Sequence, residues 1–306
     1  MLFFVIISFI ISGILIGLGV QQNTLTIETQ LNNLKNILNV SFFTIFICTI
    51  YLIFMAVKAT QVFRDEIEDG TILLVLSKPI NRKSLLAQKW CSYQLIGIIF
   101  LFSNLFWIIG ISSFFATLTA IGHLLQNIIY ILIFSLMCQF IFSSIFLLLS
   151  LSFSSKTLII IAVLVVIFLI FLNILVPLLT VSDLKHFFNN SYGVKSVSRE
   201  GYNNYMHQAN LFYYLSFINF GYHLENMFNF VINGFNSGFD NTNTTGFLSQ
   251  FGHIAYPKFT ILKSGVIAFK GWEEFISPIL LYGIYGGLVV VFLGWSWLVL
   301  RKKDFV

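Results

Sequence analysis

Charge in this chain gathers in one stretch, FRDEIEDGTILLVLSKPINRKSLLAQKW at 63–90. Here Arg64, Asp65, Glu66, Glu68, Asp69, Lys78, Arg82, Lys83 and Lys89 follow one another in a protein that is only 9% charged. Charges of both signs beside the apolar turn ILLVL at 72–76 suit pairing across an interface, where charge selects the partner and an apolar group fills a pocket. Bond-making chemistry has less to work with. The sequence contains no GxxxxGK[ST], no nucleophile elbow and no metal-ligand pair, so nothing in it points to nucleotide hydrolysis by this chain. His186, His207, His223 and His253 lack metal-ligand spacing, and Cys48, Cys91 and Cys138 form no CxxC.

The elements that must position the charged stretch follow from composition. The 306 residues are 58% apolar, against about 45–50% apolar and about 25% charged in soluble domains, so the chain reads as an integral membrane protein. Runs free of Asp, Glu, Lys and Arg occupy 1–20, 40–57, 91–115, 124–155, 157–181 and 275–300. Each reaches the roughly 17–25 residues that a helix needs to cross the hydrocarbon. A barrel strand would alternate apolar and polar side chains over about ten residues, and LIIIAVLVVIFLIFLNILV does not alternate. The first run lacks the basic flank and small-residue cleavage site of a signal peptide. The expected architecture is all-α with six transmembrane helices, a cytoplasmic helical hairpin between the second and third, and a long external segment between the fifth and sixth. The chain then divides into 1–181 with the loop 58–90, the extracytoplasmic segment 182–274, and 275–306 with the last helix and tail.

Orientation follows from Lys and Arg in short loops, which favour the cytoplasm. Lys58, Arg64, Lys78, Arg82, Lys83 and Lys89 lie in 58–90, Lys156 in the turn after the fourth run, and Arg301, Lys302 and Lys303 in the tail. All fall on one side of a six-helix alternation, so both termini are expected in the cytoplasm of a multi-pass plasma-membrane protein. The formal net charge of +5 is thereby a topology signal with anionic lipid headgroups as its partner, and it gives no reason to invoke nucleic acid.

None of the six runs contains an ionisable Asp, Glu, Lys or Arg of the kind that marks ion-coupled carriers. Gln94, Asn104, Asn127, Gln139 and Asn173 are neutral and read as interhelical hydrogen-bonding residues. Pro177 is expected to kink or end the fifth helix. The second span is expected to continue as helix from Phe63 to Leu76, until Lys78-Pro79 breaks it. Asn81 then caps a second helix, Arg82 to Trp90, that runs into the third span. In the long segment, Leu211, Tyr214, Leu215, Ile218, Leu224, Met227, Phe228, Val231 and Ile232 recur at helical spacing, which predicts interfacial or re-entrant helices within 210–234.

The run Glu66-Ile67-Glu68-Asp69-Gly70-Thr71, Ile72 to Leu76, Ser77-Lys78-Pro79-Ile80, Asn81-Arg82 and Lys89 resembles the first cytoplasmic loop of ABC-2 type transporter permeases. The resemblance implies the membrane subunit of an ABC exporter, with a separate ATPase docked on Glu66, Glu68, Asp69, Gly70, Thr71, Ile72, Leu73, Ser77, Lys78, Pro79 and Arg82. It implies no cofactor in this chain, since ATP and Mg would bind the ATPase subunit. It also implies a second permease, as a homo- or heterodimer, and the lipid bilayer as surroundings. The chain departs from that family in two ways: its sequence starts at MLFFVII where such permeases carry a basic amphipathic helix, and 182–274 is long. Two other classes fit the same composition, a membrane scaffold or regulator that moves nothing and a transporter or channel that uses no ATPase.

Overall fold

The computed structural model describes Ile6, Phe9, Ile10, Gly13 and Ile14, residues 38–65, Asp69, Tyr214 and residues 82–115, 118–153, 157–172, 217–232, 256–261, 267–273 and 276–302. The described residues of the apolar runs are helical except Phe153, Ile276 and Ser277, because a backbone in hydrocarbon must satisfy its own hydrogen bonds. Helix α1 is continuous over Leu38–Tyr51, Leu52–Ala59 and Thr60–Asp65, with the first and last pieces wound in the wider π form. The Thr49 hydroxyl donates to the Thr44 carbonyl at 3.2 Å, five residues back, which matches π winding. The others are α2 (Arg82–Phe115), α3 (Leu118–Ser152), α4 (Thr157–Leu172), α5 (Phe220–Ile232) and α6 (Pro278–Lys302).

Among the described residues, four helices are long and apolar enough to cross a membrane: Ser41–Phe63, Ser84–Phe114, Ile128–Ser152 and Pro278–Lys302. They correspond to the second, third, fourth and sixth charge-free runs. Helix α4 is described over Thr157–Leu172, in the first part of the fifth run. Residues 173–181, with Asn173 and Pro177, and most of the first run lie outside the described residues.

The chain divides into two compact units, Met1–Ile167 with Tyr282–Val306, and Phe168–Leu281. In the first unit, ring contacts set the sense of each helix. Phe9 stacks on Trp107 at 4.7 Å, and a Cβ on Gly13 would meet Ile111 Cδ1 at 3.4 Å, so the described residues of the first run follow α2 in the same direction. Helices α1 and α2 are antiparallel, since Phe63 meets Tyr93 at 6.3 Å while the earlier Phe54 meets the later Phe100 at 4.4 Å. Helices α1 and α3 are parallel, with Phe43 against Phe134 at 6.0 Å and Tyr51 against Phe142 at 6.5 Å. Direction therefore reverses at every step from the first run through α1 and α2 to α3, as a chain threading a bilayer must. The C-terminal ends of α1 and α3 and the N-terminal end of α2 share one end of this unit.

The core between these helices is aromatic. Phe46, Tyr51, Phe100 and Phe142 are fully buried, and Phe46 meets Phe100 edge-on at 5.3 Å and 70°, a favoured ring geometry.

In the second unit, the Asn219 side-chain oxygen accepts a hydrogen bond from the Tyr222 N–H at 3.0 Å and so caps α5. That cap divides the 210–234 stretch. Tyr214, Phe217 and Ile218 before it are helical and exposed, whereas Leu224, Met227, Phe228 and Val231 after it are buried. Asn226 Nδ2 donates to the Ile276 carbonyl at 2.7 Å and ties α5 to the residues just before α6.

The same unit holds an antiparallel hairpin, β1 (Tyr256–Ile261) and β2 (Ile267–Glu273), an element not expected from the sequence. Its register pairs Pro257 with Trp272, Phe259 with Phe269 and Ile261 with Ile267, and an irregularity between Lys258 and Phe259 leaves Lys270 without an opposite residue. That extra residue breaks the period-two pattern by which a strand this short would be read.

Candidate functional site

The charged stretch begins on α1, which carries helical structure past Lys58 as far as Asp65. The Asp69 N–H donates to the Asp65 carbonyl at 2.8 Å, and Asp69 is exposed in a turn. The chain is next described at Arg82, in α2, which runs unbroken through the third charge-free run. Of the docking residues expected from the sequence, Asp69 and the backbone of Arg82 are therefore placed. Glu66, Glu68, Gly70, Thr71, Ile72, Leu73, Ser77, Lys78 and Pro79 lie outside the described residues, as does Asn81.

The structure does define how the two flanking helices are held. The Lys89 ammonium donates to the Val62 carbonyl at 3.2 Å, reaching from α2 to the last turn of α1. One turn further along α2, the Tyr93 hydroxyl donates to the Met55 carbonyl at 2.6 Å, and its ring sits edge-on to Phe63. Lys58 Nζ donates to Gln61 Oε1 at 2.8 Å within α1 itself.

The other side of α2 is joined to α3. Gln139 Nε2 donates to Gln94 Oε1 at 2.7 Å and to the Gln94 carbonyl at 3.2 Å, and Gln94 Nε2 donates to the Ser143 hydroxyl. All three side chains are buried. Gly97 makes this approach possible, because a Cβ there would lie 2.3 Å from Gln139 Nε2. Trp90 and Phe140 pack at 5.9 Å beside this network.

Gln94 and Gln139 thus do what their residue types suggest, joining helices within the membrane-length region. Asn104 is also buried, the side chain of Asn127 is not among those described, and Asn173 lies beyond them. Sequence reasoning missed Tyr93, Gly97 and Ser143. A tyrosine, a glycine or a serine in an apolar run is unremarked until the partner helix is known; only the small-residue approach of Gly97 has a pattern that a search of membrane helices could weigh. Among the described residues, no group of three His, Cys, Asp or Glu side chains could hold a metal ion. The arrangement is mechanical: it fixes helices and leaves a charged turn outside.

Apolar helices that alternate in sense, joined by neutral hydrogen bonds and capped at one end by a charged stretch, define a multi-pass helical membrane protein. Comparison with protein families matches residues 1–305 to the ABC-2 family transporter proteins, and the chain belongs to that family. It is accordingly a membrane-embedded permease component of an ABC transporter. Comparison with curated proteins finds no match.

Proposed function

We propose that this chain is the permease subunit of an ABC-2 exporter, which moves its cargo outward with ATP hydrolysed by a separate subunit docked on 63–90. The observation that carries the reading is the family match over 1–305. Two features support its finer parts. Helices α1 and α2 both extend beyond their apolar stretches into the charged segment, and they do so at one end of the unit. Exposed Asp69 offers fixed charge there. The positive loop bias puts that end, and both termini, in the cytoplasm. Two permeases and two ATPase chains would complete the complex, since one such chain supplies half of a pathway between two nucleotide-binding modules. Spans without ionisable groups suit lipidic, peptide or drug-like cargo better than small ions.

The test is co-purification of the ATPase with variants of the loop. Reversing charge at Glu68 and Asp69 together should leave insertion intact, because surface changes cost under about 0.5 kcal/mol. ATPase association should weaken, since like charges facing each other across an interface cost several kcal/mol. Gly70→Val should do the same by adding bulk within the motif, and Lys270→Glu on β2 should change nothing. A cysteine at Ser77 should resist an impermeant reagent in intact cells while one at Asn241 reacts. Wild-type ATPase binding by both loop variants would remove the docking assignment, and labelling of Ser77 from outside would remove the orientation.

A further inference from the structure

Lysine before the third span reads, from sequence, either as a topology anchor or as part of a partner contact. Its placement shows a third role. Lys89 is only half-exposed, and its ammonium reaches across to the Val62 carbonyl in the last turn of α1. Four residues later, on the same face of α2, Tyr93 reaches the Met55 carbonyl two turns earlier on α1. Both of these bonds end on a backbone oxygen, so they connect α2 to the helix itself. The adjacent residues Trp90 and Gln94 face α3 instead, through Phe140, Ser143 and Gln139. The first turns of α2 therefore grip one neighbour with each side.

From this geometry we propose that Lys89 is a positioning residue for coupling: with Tyr93 it pins the C-terminal turn of α1 to α2, so that the two helices flanking the charged loop move as one body. The proposal rests on the reading of that loop as the ATPase-docking element. Without the pin, displacement of the loop would splay α1 from α2 and be lost locally. With it, the displacement passes along α2 to α3 through the Gln94–Gln139 pair, a contiguous hydrogen-bonded route of the kind that carries coupling.

The experiment pairs a structural and a functional measurement on the full-length permease. Spin labels at Gln61 and Gln88, both exposed, report the α1–α2 distance in the permease alone. The expected result is one narrow distance in the parent and in Lys89→Arg, and a broadened distribution in Lys89→Met. In proteoliposomes with the ATPase subunit, Lys89→Met should hold the ATPase at the parent's ratio, yet its stimulation of ATP hydrolysis should fall about tenfold, within the usual range of coupling free energies. Lys89→Arg should restore that stimulation. Lys89→Gln carries the same expectation as methionine should the methionine variant not insert. A narrow distance in the variant, or undiminished stimulation, overturns the proposal. Loss of the ATPase itself from Lys89→Met overturns it too, by making Lys89 a docking residue. If the parent permease holds no ATPase, the docking reading fails, while the spin-label distance still decides whether the pin exists.

Discussion

Helices α1 and α6 have much the same length and apolar character, yet the structure uses them in opposite ways. In α1, 72% of the most apolar stretch is buried within the chain, against 17% in α6. Hydropathy does not separate them; their bonds do. Two carbonyls of α1 receive side-chain hydrogen bonds from α2, and its rings pack against both α2 and α3. The hydroxyl of Ser296 in α6 turns back to its own helix, at the Phe292 carbonyl. Lipid is as apolar as leucine, so apolar character alone cannot drive one membrane helix onto another. Polar and small residues decide which helices associate, and the bulk apolar residues decide only that they enter the membrane.

The sharpest way to break that comparison is at Gly97, where the largest effect is expected. A valine here would place its Cβ 2.3 Å from Gln139 Nε2. The glutamine is flexible in itself but is held by its bonds to Gln94, so it can give way only by losing them. Overpacking of this kind costs about 1–3 kcal/mol, occasionally more. Gly97→Val should lower the unfolding free energy in mixed micelles by at least that much, and Gly97→Ala by somewhat less. Parent-like stability in both would show that α2 and α3 do not approach as closely as described.

A smaller effect is expected at the glutamines themselves. Gln139→Leu removes two bonds to Gln94 and leaves the Gln94 amide oxygen buried without that donor. Leaving one partner unsatisfied is costlier than replacing both by apolar groups. Interhelical bonds in membranes are worth about 0.6–2 kcal/mol, so each single leucine variant should lose roughly that much. The double variant Gln94→Leu/Gln139→Leu should lose less than the sum. Strict additivity would mean that the two side chains act independently.

These positions also show what the sequence made legible. Charge-free length located the helices now seen at Ser41–Phe63, Ser84–Phe114, Ile128–Ser152 and Pro278–Lys302, because entry into hydrocarbon depends on composition within one run. Helical structure from Arg82 to Trp90, running into the third span, was legible from the sequence, while the capping residue Asn81 lies outside the described residues. Gln94 and Gln139 stood out because amides are rare among apolar residues, but nothing in the sequence paired them with each other. What could not be read was pairing that involves backbone atoms. Val62 and Met55 contribute their carbonyls, which every residue has, so no residue type announces that Lys89 and Tyr93 will end there. The hairpin at 256–273 escaped for a related reason, since its bulge at Lys270 interrupts the alternation.

The smallest effect is expected on α6, and its smallness is what makes it informative. Gly283 and Gly287 stand four residues apart, the spacing at which small residues let membrane helices approach each other. At both, an added Cβ would meet nothing within 4 Å, and both are exposed beside Ile284 and Val290. Within the single chain there is thus nothing for a methyl group to disturb. Gly287→Ala should change the unfolding free energy of the detergent-solubilised permease by less than about 0.5 kcal/mol, the range of ordinary surface positions. Gly97→Ala, the same chemical change on α2, is the control that must differ. A loss at Gly287 as large as that at Gly97 would mean that this face of α6 is packed in the solubilised protein against a surface that one chain does not provide. The contrast between a bolted α1 and a largely exposed α6 would then belong to the single chain and not to the assembly.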